Sequence, residues 1–119
     1  IGQHDKVQFP QELLTLAEHS LDMVTRSIDA FVDLDTALAR SVCERDQEVD
    51  RLNKRMYSVV QERILADASQ TEKLINYLSI SRYLERIADL ATNIAEDVVY
   101  IEEGRIIRHQ LKSDAAEES

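Results

Sequence analysis

Apolar residues recur along most of the chain at alternating steps of three and four, the repeat of helices that each bury one stripe. Leu14, Ala17, Leu21, Val24, Ile28 and Phe31 form the first seam. Phe9-Pro10 opens it, and Pro10 suits a first-turn position, where a missing N–H costs nothing. Asp33-Leu34-Asp35-Thr36 interrupts the pattern with residues that cap a new helix. Leu38, Val42, Val49, Leu52, Met56 and Val59 then carry the seam toward Ala66. Between Cys43 and Gln47 the seam weakens and Asp46 offers a fresh cap, so a break or kink in the second helix is expected there. Asp67-Ala68-Ser69-Gln70 is the second turn, and Ser69 followed by Glu72 has capping-box spacing. In the third helix Tyr77, Leu84, Ala88, Ala91, Ala95 and Val98 are expected to point inward, supported by Ile80, Ile87, Ile94 and Ile101. The three alanines leave room for close approach of a neighbour, and Gly104 is the expected stop.

Short polar turns set successive helices side by side and antiparallel. The pattern therefore predicts an all-α fold, an up-down-up three-helix bundle over residues 1–104. A polar C-terminal tail over 105–119 follows, with a frayed end from Asp114 onward. Composition agrees: in 119 residues there are only 2 Gly and 1 Pro, so turns are few and elements long. A formal net charge of −9 argues against nucleic acid, whose binding needs cationic surface, and fits a cation or a basic partner. The single cysteine, Cys43, leaves no internal disulfide, as a reducing cytosol allows. No apolar run approaches the ~20 residues of a membrane span, and no signal peptide is visible. The chain opens on Ile1 rather than Met, as expected of a processed product or an excised piece of a longer protein.

The candidate chemistry lies in two carboxylate pairs. Asp46 and Asp50 are four residues apart, as are Glu85 and Asp89, so each pair stacks on one helix face. Like charges at that spacing repel, and a bound cation is one way to compensate. If the second helix is regular and the turn is centred between Asp67 and Ala68, the position numbers of Asp46 with Asp89, and of Asp50 with Glu85, share one sum. Both pairs then lie at one level of the hairpin. On the third helix the stripe continues to Asn93 and Glu96, with Arg82 one turn earlier, all within about 80° of the circumference. Asn53 prolongs it on the second helix. The expected site is an open surface cluster of oxygen donors, suited to magnesium, calcium, manganese or iron, and poor for structural zinc because neither His nor Cys joins it. The competing reading is a solvated acidic face whose ion pairs come from Arg82 and Arg86.

Nothing supports an enzyme. There is no Gly-x-Ser-x-Gly turn, no Gly-rich phosphate loop and no Glu-x-x-His of a di-iron bundle. His19 lacks a phosphotransfer-like surround and reads as a surface histidine, and Cys43 reads as a small apolar filler. Arg105, Arg108, His109 and Lys112 make a small basic patch on the tail, either solvated or facing a membrane surface or acidic partner.

Arg82-Tyr83-Leu84-Glu85-Arg86-Ile87-Ala88-Asp89, followed by Ala91-Thr92-Asn93-Ile94-Ala95-Glu96, resembles the signature of the PhoU family of phosphate-uptake regulators. Leu38-Ala39 through Val42, Asp46, Val49, Asp50 and Leu52 resembles that family's preceding helix, and the likeness spans about Asp35 to Gly104. The resemblance implies a three-helix bundle and a metal cluster held by paired Glu/Asp-x-x-x-Asp motifs. These fall on Asp46 and Asp50 and on Glu85 and Asp89, with Asn93 and Glu96 in the same stripe. The ion it implies is divalent or trivalent, with iron, manganese, magnesium, calcium and zinc all open. It further implies a cytoplasmic protein, peripheral at the inner membrane face, that helps repress the phosphate-starvation response. Its partners would be the phosphate ABC transporter and a sensor histidine kinase. Two departures stand out. The family's Gly-Asp-His is Ala88-Asp89-Leu90 here, so any role of that histidine is lost. Family members carry two tandem bundles and this chain resembles the second alone, as a fragment or as a unit that pairs with itself in a homodimer. Two other readings stay open: the soluble tail of a sodium–phosphate cotransporter, and a metal-free assembly module that self-associates through its alanine-rich seam.

Overall fold

The structure is a computed structural model that describes residues 9–118, with side chains through residue 116. Ile1, and with it the reading of a processed or excised chain, lies outside the described residues. Three helices follow one another: α1 (Gln11–Asp33), α2 (Thr36–Ala66) and α3 (Thr71–Glu118), with a single 3-10 turn (Ala68–Gln70) before α3. The fold is the predicted all-α bundle. Phe9 packs its ring on Tyr77 at one end, with centroids 4.8 Å apart. Ile28 and Phe31 share a groove with Ile94 and Ile101 at the other. So α1 and α3 run parallel and α2 returns between them. No helix among the described residues is long and apolar enough to cross a membrane.

Pro10 is the residue before the first helical one. α1 ends with Leu34 in the left-handed region (φ 51°), while the Asp35 N–H reaches back to the Ala30 carbonyl at 2.9 Å. That closes the helix in a Schellman-type turn without the glycine such a turn prefers. Asp35 then caps α2, its side chain accepting from the Leu38 N–H at 3.0 Å. At the second turn the cap is Asp67, not Ser69. Its carboxylate accepts from the Ser69 N–H at 3.1 Å and the Ser69 hydroxyl at 2.6 Å, which holds the carboxyl below its ordinary pKa. Asp67 precedes the 3-10 turn, so capping is shifted two residues upstream of the capping-box reading.

The core of α2 and α3 is the one read from the pattern: Val42, Val49, Leu52, Met56 and Val59 meet Tyr77, Ala88, Ala91, Ala95 and Val98, all buried. The alanine seam is therefore used inside the bundle, which removes it as a self-association surface. α1 differs. Its buried face is Leu13, Leu16, Ser20, Met23, Ser27 and Ala30, whereas Leu14, Leu21, Ile28 and Phe31 are exposed. The two stripes are centred roughly 100° apart on the same helix. Small residues on the true core face, with Ser27 folding its hydroxyl onto the Val24 carbonyl at 2.8 Å, let α1 approach its neighbours closely. The bulkier stripe is left outside. Ile80, Ile94 and Ile101 of α3 likewise stand outside the core rather than supporting it.

Two further expectations are corrected. α2 is unbroken from Thr36 to Ala66, because Asp46 does not cap anything: it takes an inward position between Val42 and Val49 and faces α3. The seam weakens there because a carboxylate occupies a core-lining site. Nor does Gly104 stop α3, which runs on to Glu118 in helical geometry; among the described residues no glycine has positive φ. The frayed tail is thus a helix extending from the bundle, fully exposed over residues 105–116, with Ser119 outside the described residues. Of the basic patch it carries, Arg105 is committed to Glu102 one turn back.

Candidate metal centre

An unbroken α2 satisfies the condition on which the equal-height argument rests. α2 and α3 are joined around Asp67 and Ala68, and the polar contacts between them fall at the expected level. Asn53, only 7% exposed, donates from Nδ2 to Glu85 Oε2 at 2.8 Å and accepts from the Ser81 hydroxyl at 2.6 Å. These two bonds fix the amide's orientation and anchor Glu85 against α2.

One turn-pair along, Asp46 is half-buried among carboxylates. Burial comes first among the causes that raise its pKa, followed by the charges of Asp50, Asp89 and Glu85. The four residues of the two predicted pairs therefore share one electrostatic neighbourhood. Asp46 Oδ1 is cut off from solvent and has no hydrogen-bond donor. The Thr92 hydroxyl lies beside the Asp46 carboxylate and lowers its pKa, but Thr92 Oγ1 is also 3.0 Å from the Ala88 carbonyl. One hydroxyl proton cannot satisfy both acceptors, so Asp46 is poorly compensated.

Asp50, Asp89, Asn93 and Glu96 are exposed, and Glu85 is half-buried. Glu96 lines a shallow groove with Arg40, Cys43, Glu44 and Val99, at the upper end of the stripe. Both Glu96 and Asp46 raise the Cys43 thiol behind the larger effect of burial, so Cys43 stays protonated and acts as packing. The cluster is thus an open stripe at Asp50, Asp89, Asn93 and Glu96 with a buried edge at Asp46 and Asn53. Arg86, one of the arginines read as a counter-ion, lies over the Tyr83 ring at 5.8 Å. Among the described residues no three Asp, Glu, His or Cys side chains are gathered tightly enough to enclose an ion as they stand. The donor set fits a hard cation: acceptor-only oxygens, one of them buried and without a donor.

Sequence reasoning passed over Ser81 and Thr92, and took Asn53 for an exposed member of the stripe. Asn53 lies seven residues after Asp46, a spacing that puts both on the inward face; that spacing was the signal available. His19 is tied down rather than reactive. Its Nδ1 accepts from Arg45 at 3.1 Å, and Arg45 also lies 3.4 Å from Asp22, which pairs with Arg26 at 2.9 Å. That network links α1 to α2.

The model of the PhoU domain matches residues 13–98, most of the bundle. The chain belongs to the PhoU domain family. Similar proteins carry the same label. The phosphate-specific transport system accessory protein PhoU homolog of Clostridium acetobutylicum is 33% identical over 102 residues, 86% of this chain and 45% of that protein. PhoU homolog 1 of Thermotoga maritima is 33% identical over 110 residues, covering 91% of this chain and 47% of its own length. The homolog of Pseudomonas aeruginosa reaches 38% over 87 residues, 73% of this chain and 36% of its own. The chain therefore spans somewhat under half the length of these PhoU relatives.

Proposed function

We propose that the chain is a PhoU-type docking module of a phosphate transport system, regulatory rather than catalytic, whose α2–α3 carboxylate cluster takes a metal ion. Asp46, Asp50, Glu85 and Asp89 would hold the ion, with Asn93 and Glu96 alongside. The observation that carries the reading is the Asp46 carboxylate, with one buried oxygen lacking a donor and three other carboxylates around it. A bound cation supplies the positive charge this neighbourhood lacks. The chain's own residues then present one fixed surface, where unneutralised carboxylates would repel one another.

The names of its relatives support the setting, an accessory role in phosphate-specific transport. The proposed partners are the phosphate transporter and its sensor kinase, at the inner face of the membrane, with repression of the phosphate-starvation response as the outcome. The test is elemental analysis of protein purified without chelator or affinity metal, beside an Asp50→Ala, Glu85→Ala double variant and Asp89→Asn. Bound metal that falls in the variants, with circular dichroism unchanged, supports the centre. Full occupancy in Asp89→Asn removes Asp89 from the ligand set. No metal in any form after reconstitution with iron, manganese or magnesium leaves a charge-driven docking surface in its place.

A further inference from the structure

We propose that Asn53 and Thr92 are positioning residues of the carboxylate centre, each reaching across the α2–α3 contact to hold the first carboxylate of the opposite pair. The proposal rests on the metal reading above and adds to it two residues outside the ligand set. Its first support is a repeat in spacing. Asp46, Asp50 and Asn53 on α2 stand at steps of four and then three, and Glu85, Asp89 and Thr92 on α3 stand at the same steps. Each helix thus carries two carboxylates and, one turn on, a polar uncharged side chain. α2 and α3 are antiparallel and the two pairs lie at one level, so an approximate local two-fold axis between the helices exchanges the triplets. It brings Asn53 beside Glu85 and Thr92 beside Asp46. Both contacts are present: Asn53 Nδ2 donates to Glu85 Oε2 at 2.8 Å, and the Thr92 hydroxyl lies beside the Asp46 carboxylate.

The two holds differ in strength. Ser81, fully buried, donates its hydroxyl to Asn53 Oδ1 at 2.6 Å. That bond fixes which end of the amide faces α3, so the donor end meets Glu85. Glu85 Oε2 is engaged from inside the bundle, and Oε1 is left for a cation. Thr92 shares its hydroxyl with the Ala88 carbonyl, 3.0 Å away, so its hold on Asp46 is partial and leaves Oδ1 without a donor. Burying an amide and a hydroxyl in a helix contact contributes little net stability over apolar side chains of the same shape. Folding alone therefore gives no reason for Asn53 and Ser81 to be there. Holding a carboxylate ligand does: removing the group that hydrogen-bonds a ligand weakens metal binding ~10–100-fold.

The test is calorimetric titration of Mn2+ into the full chain after chelator stripping, beside thermal melts. Asn53→Leu combined with Ser81→Ala removes both buried partners, so no hydroxyl is stranded. It should melt above Asn53→Leu alone, yet bind Mn2+ roughly 10–100-fold more weakly than the unaltered chain. Thr92→Val should weaken binding about tenfold, and Thr92→Ser, which keeps the hydroxyl, should restore most of it. Thr25→Val removes the same kind of hydroxyl-to-carbonyl bond, 3.1 Å to Leu21, on the exposed face of α1 and should change nothing. Unaltered affinity in either the double variant or Thr92→Val, while Asp50→Ala with Glu85→Ala abolishes binding, overturns the paired arrangement and leaves the centre standing. Weakening that merely tracks the loss of melting temperature also overturns it. If the unaltered chain binds neither Mn2+ nor, in parallel titrations, Fe2+ or Mg2+, the metal reading fails and this proposal falls with it.

Discussion

The two flanks of α3 make opposite use of the same core. Toward α2, a polar layer runs beside the apolar core: Asn53, Ser81 and Glu85 bond to one another, and Asp46 sits among carboxylates. Toward α1, Leu16 and Met23 interleave with small residues such as Ser20, Ser27 and Ala30, and the large aliphatics Ile80, Ile94 and Ile101 of α3 stand outside that contact. The polar flank places the Asp46 charge where burial makes it costly. The apolar flank places large aliphatics where exposure makes them costly. Each flank departs from an ordinary bundle in its own direction, and the departures mark the surfaces worth testing.

The sharpest way to break this comparison is to exchange weight between the two stripes of α1. Met23→Ala removes a fully buried side chain and should lower stability by about 2–5 kcal/mol. Leu21→Ala, from the exposed stripe, should cost under ~1 kcal/mol in chemical denaturation at concentrations where the chain is monomeric. Reversal of that order would return the core to the seam of Leu14, Leu21 and Ile28. On the polar flank, Asn53→Ala strands the Ser81 hydroxyl and frees Glu85. A loss of roughly 1–3 kcal/mol follows, read as a lower melting temperature.

Asp46→Asn works the other way. The folded chain holds the Asp46 proton up to a higher pH than the unfolded chain does. Without metal, stability therefore falls as pH rises from the ordinary carboxyl range through the raised value, and the charge remains unfavourable above it. Removing the charge should stabilise the metal-free protein at neutral pH and flatten that slope. A melt series across pH in the presence of a chelator checks both. The smallest effect is expected at Gly104, whose Cβ position is empty to 4 Å and whose backbone is helical. Gly104→Ala should add roughly 0.5–1 kcal/mol to the helicity of the α3 extension, seen as a gain in ellipticity.

These two flanks were not equally legible. Helix number, both turns and the apolar seam of Val42, Val49, Leu52, Met56, Ala88, Ala91 and Val98 follow from the three-four repeat, because a repeat of that length fits one geometry, while Ile80, Ile94 and Ile101 fall outside it. The level of Asp46, Asp50, Glu85 and Asp89 followed from chain distance to the turn, since antiparallel helices rise equally. The face of α1 did not follow. Hydrophobicity ranks Leu21 and Ile28 above Ser20 and Ser27, but close packing selects small residues, and the pattern cannot say which stripe meets this core. Asp46 resembled a cap because a polar residue in an apolar seam has that appearance until the opposing helix is known. Gly104 resembled a stop because glycine ends helices by adopting positive φ, which nothing requires where α3 leaves the bundle.

That departure has a hydrodynamic consequence. α3 has 48 residues against 23 in α1 and 31 in α2, and the molecule measures 78 × 23 × 16 Å. Its radius of gyration is 20.7 Å, where a compact chain of this length would have about 13–14 Å. Such a rod drags in solution like a heavier sphere. A single copy will leave a sizing column early and relax slowly in an NMR experiment, so its elution volume will imitate a pair even when it is alone, and only a shape-independent mass can count the copies.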